Sequence, residues 1–468
     1  MTIFNNLARN SSSLSFIAED ERRFSYSDLL NDADHFGEKI NERSLIFIIS
    51  SNNFDCVTGY VGALRANAVV VLINYSIHES MWNDLIKKFK PAFIYQPKNL
   101  FQCEKVWEQK LKFGKYVLYE TNIEIDYEIN DDLSLLLMTS GSTGSPEFVR
   151  LSHSNIYSNT KSICEYLKIS NNDVAITTLP ISYSYGISII NTHLFTGASL
   201  ILTDASLMEK KFWELISRHN VTTFGGVPYT FEMLKKLKFE KISIPSIKYI
   251  TQAGGKLSQD LLEYFTSVCV KKKMDFIVMY GQTEASPRMA YLPQNMLQKK
   301  IGSIGIPIPR GKFYLIDEKH QMIDEPNIEG ELVYEGENVS LGYARNCYEL
   351  ANGDSNNGVL KTGDMVKMDS DGYYYIVGRK KRFLKLFGNR VSLDQIEQKI
   401  NEAGYHCACV GLDDQMKLYT TEKSNMGKIN KFITEYFNLN KSRFSIIYIE
   451  TIPRNDSGKI LYSELEKN

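Results

Sequence analysis

Short apolar runs alternate with amphipathic stretches between about residues 44 and 281. The runs are rich in β-branched residues and predict buried strands: SLIFIIS, AVVVLIN, SLLLMTS, AITTLP, ASLILT, IKYITQAG and DFIVMYG. In the stretch 257–272 the apolar residues recur every three or four positions and predict a helix, with one apolar face formed by Leu257, Leu261, Leu262, Phe265 and Val268. Strands that alternate with helices favour parallel sheets covered on both faces.

The pattern changes after about residue 301. Three short apolar segments, KFYLID, GELVYEG and GYYYIVGR, are separated by Gly, Pro, Asn and Asp and predict a small antiparallel barrel or sheet. Residues 392–402 predict a helix that leads into a strand at 406–412, and residues 11–24 predict a peripheral hairpin. We therefore expect an α/β fold, with layered β/α sheets plus a small β-barrel, followed by a small α+β unit after a boundary near 378–385.

Composition narrows the classes of protein that fit. The 468 residues are enough for two to four domains of roughly 100–200 residues each. With 43% apolar and 23% charged residues, the chain matches neither a disordered protein nor a coiled coil. The net charge of −1 gives no bulk electrostatic reason to expect a nucleic-acid or membrane partner. The N-terminal sequence lacks a secretion-signal pattern, and the stretch 185–202 is too polar for a membrane span.

Cysteine usage points to a reducing compartment. The seven cysteines are odd in number and mostly far apart, which predicts a cytoplasmic protein without a disulfide framework. Cys407 and Cys409 lie beside His406, but no second ligand pair has the spacing of a zinc site. Buried thiols on a strand are the favoured interpretation of this segment, and a metal-site fragment is the alternative.

The segment LLLMTSGSTGSP, residues 135–146, is the most informative for chemistry. A predicted buried strand runs into a loop in which glycines let backbone N–H groups converge and small hydroxyl groups add donors, as a polyphosphate requires. The Walker pattern G-x-x-x-x-G-K-[ST] is not met, because Gly141 and Gly144 are three apart and no lysine follows. Taken alone, the segment is also compatible with a flexible surface turn.

The loop TSGSTG at 139–144 resembles the phosphate loop of the adenylate-forming superfamily, which includes acyl-CoA synthetases, adenylation domains of peptide synthetases, and luciferases. Four further segments resemble motifs of that family in the same order along the chain: YGQTE (280–284), KTGD (361–364), GR with GNRV (378–379 and 388–391) and PRNDSGK (453–459). Each is weak alone, but five in order, between about residues 135 and 460, are a specific signal.

The resemblance implies a role for each matched position. It implies ATP binding by Thr139, Ser140, Gly141, Ser142, Thr143, Gly144, Gly255, Tyr280, Gly281, Gln282, Thr283, Asp364 and Arg379. It implies magnesium binding by Thr143 and Glu284, catalysis by Lys459 and Glu284, and a hinge at Lys381. The roles also make physical sense, because a carboxylate that attacks the α-phosphorus of ATP must overcome repulsion between anions. The acceptor-only carboxylate of Asp364 suits a ribose diol, and the Tyr280 ring suits stacking on adenine.

Two departures from the family pattern affect the predicted site. The phosphate loop usually continues Pro-Lys-Gly, whereas here Glu147 takes the place of the lysine and Arg150 is the only nearby cation that could substitute. Adenylation domains for amino acids place an aspartate where this chain has Ser184, so an ammonium group would be buried unpaired. A small neutral or hydroxylated carboxylic acid is therefore expected, in a pocket lined by Tyr183, Ser184, Tyr185, Gly225, Ala253 and Gly254.

The resemblance implies an ATP- and Mg²⁺-dependent ligase of the AMP-forming acyl-CoA synthetase type. It would form an acyl-adenylate and pass the acyl group to a phosphopantetheine thiol, on coenzyme A or on a separate acyl carrier protein. It also implies an N-terminal domain at 1–380 that binds ATP and the acid, and a mobile C-terminal domain at 381–468 that carries the catalytic lysine. The basic run 379–385, with Arg390, is expected at the hinge, and its cations would suit the phosphates of coenzyme A or an acidic carrier protein.

Two alternatives remain open at this point. One is a stand-alone amino-acid adenylation enzyme that loads a separate carrier protein. The other is a noncatalytic nucleotide-binding homologue, which Glu147 in the phosphate loop makes conceivable.

Overall fold

The computed structural model describes residues 3–101, 107–138, 147–386, 389–412, 415–437, 439, 441–455 and 458–467. Within these ranges the α-helices are α1 (Tyr26–Gly37), α2 (Phe54–Arg65), α3 (Glu79–Phe89), α4 (His153–Leu167), α5 (Ser184–Thr196), α6 (Lys210–Arg218), α7 (Pro228–Lys236), α8 (Gln259–Lys272), α9 (Leu393–Glu402), α10 (Met426–Tyr436) and α11 (Tyr462–Glu466). The predicted helix at 257–272 is therefore confirmed as α8, and Ser258 caps it by accepting a hydrogen bond from the Leu261 N–H.

The strands of the first part are β1 (Leu14–Ala18), β2 (Arg23–Ser25), β3 (Leu45–Ser50), β4 (Val69–Asn74), β5 (Phe93–Pro97), β6 (Glu108–Phe113), β7 (Tyr116–Glu120), β8 (Leu133–Met138) and β9 (Phe148–Ser152). The next are β10 (Val174–Ile176), β11 (Ser199–Leu202), β12 (Thr223–Gly226), β13 (Tyr249–Gln252), β14 (Asp275–Gly281), β15 (Arg288–Tyr291) and β16 (Ile306–Pro307). Then follow β17 (Lys312–Ile316), β18 (Met322–Ile323), β19 (Glu329–Glu335), β20 (Tyr343–Ala344), β21 (Val359–Met368) and β22 (Tyr374–Arg379). The last are β23 (Phe383–Leu386), β24 (Asn389–Ser392), β25 (Cys407–Leu412), β26 (Gln415–Thr420) and β27 (Phe444–Tyr448).

Two large sheets have parallel centres, as the strand–helix alternation predicts. One has the order β20-β9-β8-β4-β3-β5-β7-β6, and β3, β4, β5 and β8 pair in parallel within it. The other has the order β16-β15-β14-β13-β12-β10-β11-β1-β2, parallel from β14 to β1. The predicted hairpin is β1–β2, at the edge of that sheet. All six residues of β3 are buried, and the first five, Leu45 to Ile49, alternate between two apolar clusters, because both faces of this sheet are covered.

The predicted antiparallel barrel or sheet is a sheet with the order β18-β17-β19-β21-β22. Its apolar core includes Tyr280 at the end of β14, so this sheet packs against the end of the larger parallel one. Strands β12, β13 and β14 are parallel and end at the same edge, which is where ligands bind in sheets of this kind. Gly225, Ala253, Gly254 and Tyr280 therefore lie at this edge, and Tyr280 packs into the core of the antiparallel sheet.

The chain after β22 forms an α+β unit with its own apolar clusters. Strands β23 and β24 form a hairpin, and β25, β26 and β27 form a second sheet that contacts α9, α10 and α11. The predicted helix at 392–402 is confirmed as α9 with Ser392 as its N-cap, and the predicted strand at 406–412 is β25. Cys407 and Cys409 are buried thiols on β25, as favoured, and the described residues contain no cluster of three or more His, Cys, Asp or Glu arranged to hold a metal ion.

Across the described ranges, none of the helices is both long enough and apolar enough to cross a membrane.

Candidate active site

The predicted phosphate loop lies outside the described residues, and with it six predicted ATP ligands: Thr139, Ser140, Gly141, Ser142, Thr143 and Gly144. The strands on either side of it are described: β8 ends at Met138, β9 begins at Phe148, and the two pair antiparallel. The remaining predicted residues come from β12, the segment after β13, β14 with the turn that follows it, the start of α5, β21, β22 with the turn that follows it, and the segment that precedes α11.

Three predicted nucleotide residues meet at the carboxylate of Asp364. Its side chain is only 2% exposed and pairs with Arg379, with 2.6 Å between Asp364 Oδ1 and Arg379 Nε. The other oxygen, Oδ2, accepts hydrogen bonds from the Tyr280 hydroxyl and, at 3.0 Å, from Gln282 Nε2. Burial raises the pKa of Asp364, although Arg379 and the two hydrogen bonds act in the opposite direction. The arrangement leaves Arg379 half exposed beside a buried acceptor.

Gly281 explains how the chain turns at this point. A Cβ atom at this position would lie 1.7 Å from the carbonyl oxygen of Pro287, so no larger residue fits without moving the backbone. The close approach allows β14 to pass into a short 3₁₀ turn at Thr283–Ala285 and return as β15. That turn carries Glu284, the predicted magnesium ligand.

Glu284 is oriented by a tyrosine that the sequence did not identify. The hydroxyl of Tyr343, on β20, donates to Glu284 Oε1 at 2.8 Å. Burial and the neighbouring Glu284 raise the pKa of Tyr343, so the hydroxyl stays protonated and able to donate. One hard carboxylate suits Mg²⁺, which typically takes one or two carboxylates and completes its shell with substrate phosphates and water. The chemistry of this donor set therefore fits the ion.

We expect the substitution Tyr343→Phe to raise the Mg²⁺ concentration needed for half-maximal pyrophosphate release by about three- to tenfold, because one hydrogen bond contributes about 1 kcal/mol. Tyr348→Phe is a matched control, since the Tyr348 hydroxyl also donates to a carboxylate, that of Asp126, at 2.9 Å. A magnesium titration of both variants tests the role. Equal magnesium dependence in the two variants would mean that Tyr343 does not position Glu284.

Lys459 lies in the cleft between the C-terminal unit and the pocket helix α5. Its Nζ is 5.7 Å from the centre of the Tyr183 ring. The backbone around it is held by Asn455, whose Oδ1 accepts from the Lys459 N–H at 2.9 Å. Desolvation by the cleft walls lowers the pKa of Lys459, and the nearby Arg379 lowers it further, whereas Glu284 and Asp364 favour the charged form. The cleft therefore contains Lys459, Arg379, Glu284 and Asp364 together.

Tyrosines fill the predicted acid pocket. Tyr185 is 2% exposed, and its hydroxyl is 2.7 Å from Thr251 Oγ1. A Cβ atom at Gly225 would lie 2.7 Å from the Tyr185 hydroxyl, and a Cβ atom at Gly254 would lie 2.7 Å from the Tyr183 hydroxyl. The rings therefore occupy the space beside both glycines.

The other predicted pocket and nucleotide residues lie around these rings. Ser184 Oγ is 3.0 Å from Thr283 Oγ1, which joins the first turn of α5 to the Glu284 turn. Ala253 is buried at the end of β13, and the carbonyl of Gly255 accepts from Gln252 Nε2 at 2.7 Å. The described site residues of four of the five motifs, Tyr280 to Glu284, Asp364, Arg379 and Lys459, thus lie in one region together with the pocket residues.

Arg150 does not supply the cation that Glu147 replaces. It is 1% exposed, and its guanidinium donates to the backbone carbonyls of Tyr343, Asn352, Leu341 and Gly353. These bonds fix the loop that carries Tyr343, so the expectation that Arg150 could substitute for the lysine is wrong.

Glu147 is instead paired with a cation that the sequence analysis missed. Arg345 Nε lies 2.5 Å from Glu147 Oε1, and this contact raises the pKa of Arg345. The pair removes the net negative charge that Glu147 would otherwise place next to the phosphate loop.

The residues before and after the predicted hinge residue Lys381 form ion pairs with different parts of the chain. Lys380 Nζ is 2.7 Å from Glu331 Oε2, on β19. Arg382 pairs with Asp394 and Glu397, on α9 of the C-terminal unit. Residues 380–382 form a single 3₁₀ turn. Within this one turn, the ion-pair partner changes from β19 to α9 of the C-terminal unit.

Residues 4–344 match the AMP-binding enzyme family. The 2-succinylbenzoate–CoA ligase of Bacillus cereus is 26% identical over 366 residues, which cover 74% of this chain and 72% of the relative. The oxalate–CoA ligase of Saccharomyces cerevisiae is 23% identical over 513 aligned positions, which cover 95% of this chain and 92% of the relative.

The solved structures that resemble the chain agree with these matches. O-succinylbenzoate coenzyme A synthetase from Bacillus subtilis in complex with AMP has a TM-score of 0.82 at 20% identity, covering 99% of this chain and 98% of that one. The complex of that synthetase with ATP and magnesium ion has a TM-score of 0.79, at 20% identity and with 99% of each chain covered. Because the family match spans well over half of the 468 residues, the chain belongs to the AMP-binding enzyme family, the adenylate-forming enzymes that its motifs resemble.

Proposed function

We propose that the chain is an acid–CoA ligase that activates a small carboxylic acid with Mg-ATP and transfers the acyl group to coenzyme A. The observation that carries this proposal is the convergence of Lys459, Glu284 and the Asp364–Arg379 pair beside Tyr183, at the start of α5. Family membership and the CoA-ligase names of the relatives support it.

In the first half-reaction the carboxylate of the acid attacks the α-phosphorus of ATP, and pyrophosphate leaves. Asp364 accepts hydrogen bonds from the ribose hydroxyls, while Tyr280 and Gln282 hold its carboxylate in place. Glu284, oriented by Tyr343, would hold a magnesium ion, and such an ion would neutralise phosphate charge. The ammonium group of Lys459 stabilises the negative charge that develops on the oxygens around the α-phosphorus.

The phosphate loop binds the β- and γ-phosphates through the hydroxyl and N–H groups of residues 139–144, with Thr143 as a further magnesium ligand. Tyr280, Gly281, Gln282, Thr283 and Gly255 form the walls on the adenine side. The Glu147–Arg345 ion pair supports this role, because the loop does not have to bind phosphates beside an unpaired carboxylate.

In the second half-reaction a thiol attacks the acyl-adenylate, and AMP leaves. We assign residues 1–380 to the domain that binds ATP and the acid, and residues 381–468 to a mobile domain that carries Lys459. The opposite partners of Lys380 and Arg382 support a pivot at Lys381. The thiol is that of coenzyme A, and a phosphopantetheine arm on a separate acyl carrier protein offers the same reacting group. A cytoplasmic site of action fits the six described cysteines, which are all free.

Pyrophosphate release with a panel of short acids, ATP and Mg²⁺, followed by mass analysis of the product with coenzyme A, tests the proposal. A ligase releases pyrophosphate and forms an acyl-CoA. Release with amino acids alone, with no transfer to coenzyme A, would favour an enzyme that loads a carrier protein. No release with any acid would favour the noncatalytic alternative.

We expect Lys381→Pro to slow thioester formation by about tenfold or more while adenylate formation persists, because proline fixes φ near −65° and hinders domain rotation. Lys381→Ala is the matched control, since it shortens the same side chain without fixing the backbone. The two half-reactions are measured separately, as pyrophosphate release and as acyl-CoA formation from preformed adenylate. Equal loss of both in the proline variant would mean that the substitution damages the fold.

A further inference from the structure

Arg288 is a buried cation beside the acid pocket. It is the first residue of β15, four positions after Glu284, and it is 2% exposed. Its Nη1 donates to the Tyr166 hydroxyl at 3.2 Å and also contacts the Met279 sulfur, and its Nη2 donates to Ser188 Oγ at 3.1 Å. Its Nε is buried without a hydrogen-bond acceptor. Among the described residues, no ion pair includes Arg288, and the side-chain contacts named above are with neutral groups.

This environment is unfavourable for a guanidinium group on its own. Taking a cation out of water costs several kcal/mol unless an anion or a full set of hydrogen bonds compensates, and a thioether is a weak acceptor. The Tyr185 ring, 4.2 Å from the guanidinium carbon, provides a cation–π contact that offsets part of the cost. An anion is still missing, and guanidinium groups typically bind carboxylates through two parallel hydrogen bonds.

Two serines of α5 show where Arg288 lies relative to the predicted reaction centre. The Oγ atom of Ser184 is hydrogen-bonded to Thr283, which is next to Glu284 in the chain. The Oγ atom of Ser188 accepts a hydrogen bond from Arg288. Residues four apart lie on the same face of a helix, one above the other and about 6 Å apart along its axis. Arg288 therefore lies about one helical turn deeper than the Glu284 turn, with the Tyr185 ring against it. The carbon chain of a short dicarboxylic acid spans such a distance.

We propose that Arg288 binds a second carboxylate of the substrate, so that the acid activated by this chain is a short dicarboxylic acid. The inference rests on the proposed function and names the substrate class of that same site. It replaces the expectation of a neutral acid, which took account of Ser184 but not of a buried cation. One carboxylate faces ATP and Lys459, and the other supplies the anion that Arg288 lacks.

The full-length protein is tested with pairs of acids of equal chain length: malonate with propionate, succinate with butyrate, and glutarate with pentanoate. Pyrophosphate release with Mg-ATP gives kcat/KM for each acid. We expect at least one dicarboxylate to exceed its monocarboxylate partner by about tenfold or more, mainly through a lower KM, as for a gained charge-assisted hydrogen bond. Activity with equal kcat/KM within every pair would overturn the inference and leave the ligase function intact. No pyrophosphate with any acid would contradict the proposed function itself.

Substitution of Arg288 identifies the group responsible. We expect Arg288→Gln to reduce the dicarboxylate-to-monocarboxylate ratio of kcat/KM by about tenfold or more, and Arg288→Lys to keep part of the preference. Arg218→Gln is the matched control, because Arg218 is an arginine whose side chain is 58% exposed and pairs with Glu21 on the surface. An unchanged ratio in Arg288→Gln would overturn the assignment.

A binding measurement on the wild-type protein covers the case in which Arg288→Gln does not fold. Without ATP, the preferred dicarboxylate is expected to raise the melting temperature more than its monocarboxylate partner at the same concentration, since only a ligand that binds the folded state stabilises it. Identical shifts for the two acids would count against an anion site at Arg288.

Discussion

Lys459→Ala is expected to lower the rate of adenylate formation by about 10²-fold or more while ATP binding stays nearly intact, as for the loss of one preorganised electrostatic group. The physical reason is the position of the ammonium group. Lys459 lies in a loop, and its described contact is with the Tyr183 ring, so its loss changes the charge in the cleft rather than the packing of the fold. The measurement is single-turnover adenylate formation, with ATP binding followed by calorimetry.

Lys467→Ala is a matched control, because Lys467 is an exposed lysine of the same C-terminal unit outside the cleft. We expect it to keep wild-type rates in both half-reactions. An adenylation rate within about threefold of wild type in Lys459→Ala would mean that the developing charge is stabilised by another group.

Because the charge state of Lys459 depends on pH, the rate of adenylate formation should depend on pH as well. Desolvation and Arg379 lower the pKa of this lysine below its ordinary value, so in the free enzyme it loses its proton at a lower pH than a lysine in water does. Since the charged form is the active one, kcat/KM for adenylation should fall on the alkaline side earlier than an ordinary lysine would allow. Bound phosphates add negative charge next to Lys459 and favour its charged form, so the fall in kcat should come at a higher pH.

The sequence predicted most of the fold because its patterns are local. The run SLIFIIS became β3, buried on both faces, and the three- and four-residue spacing in 257–272 became α8. The turn residues between KFYLID, GELVYEG and GYYYIVGR indicated β17, β19 and β22 of the antiparallel sheet. Each of these signals lies within a window of about 5–15 residues, the range over which periodicity predicts secondary structure.

Site residues were predicted only where they belong to a short sequence motif with a characteristic spacing. Tyr280, Gln282 and Asp364 came from short matched segments, and the structure places them within hydrogen-bonding distance of one another. Tyr343 and Arg345 were missed, because they follow no motif and meet Glu284 and Glu147 only through tertiary folding, 59 and 198 residues away along the chain. Arg150 was misjudged for the same reason, since its four carbonyl partners come from the distant segment 341–353.

Arg288 was the one missed residue with a visible signal. It is a charged residue at the start of RMAYL, separated by three residues from the end of the YGQTE motif, in a segment that is otherwise apolar. A buried arginine requires a partner, and buried charges without partners are typical of functional sites.

Short unsubstituted or hydroxylated acids are expected to exceed the matching α-amino acids by about 10²-fold or more in kcat/KM for pyrophosphate release. Ser184, which takes the place of an ammonium-binding aspartate, is 4% exposed and already pairs with Thr283. An ammonium group would be buried without a carboxylate, and the positive charge of Arg288 on the same face of α5 would repel it.

Matched series test this discrimination: propionate, lactate and alanine, and then succinate, malate and aspartate. Ser184→Asp should raise the relative kcat/KM of the amino acids, because it returns a carboxylate to the first turn of α5, whereas the isosteric but neutral Ser184→Asn should not. If an amino acid is the best substrate of the wild-type chain, the Ser184 interpretation of the pocket is wrong, although the ligase function would stand. If aspartate were the only amino acid accepted, its second carboxylate would have to offset the free-energy cost of burying the ammonium group. That result would place the recognition at Arg288 rather than at Ser184.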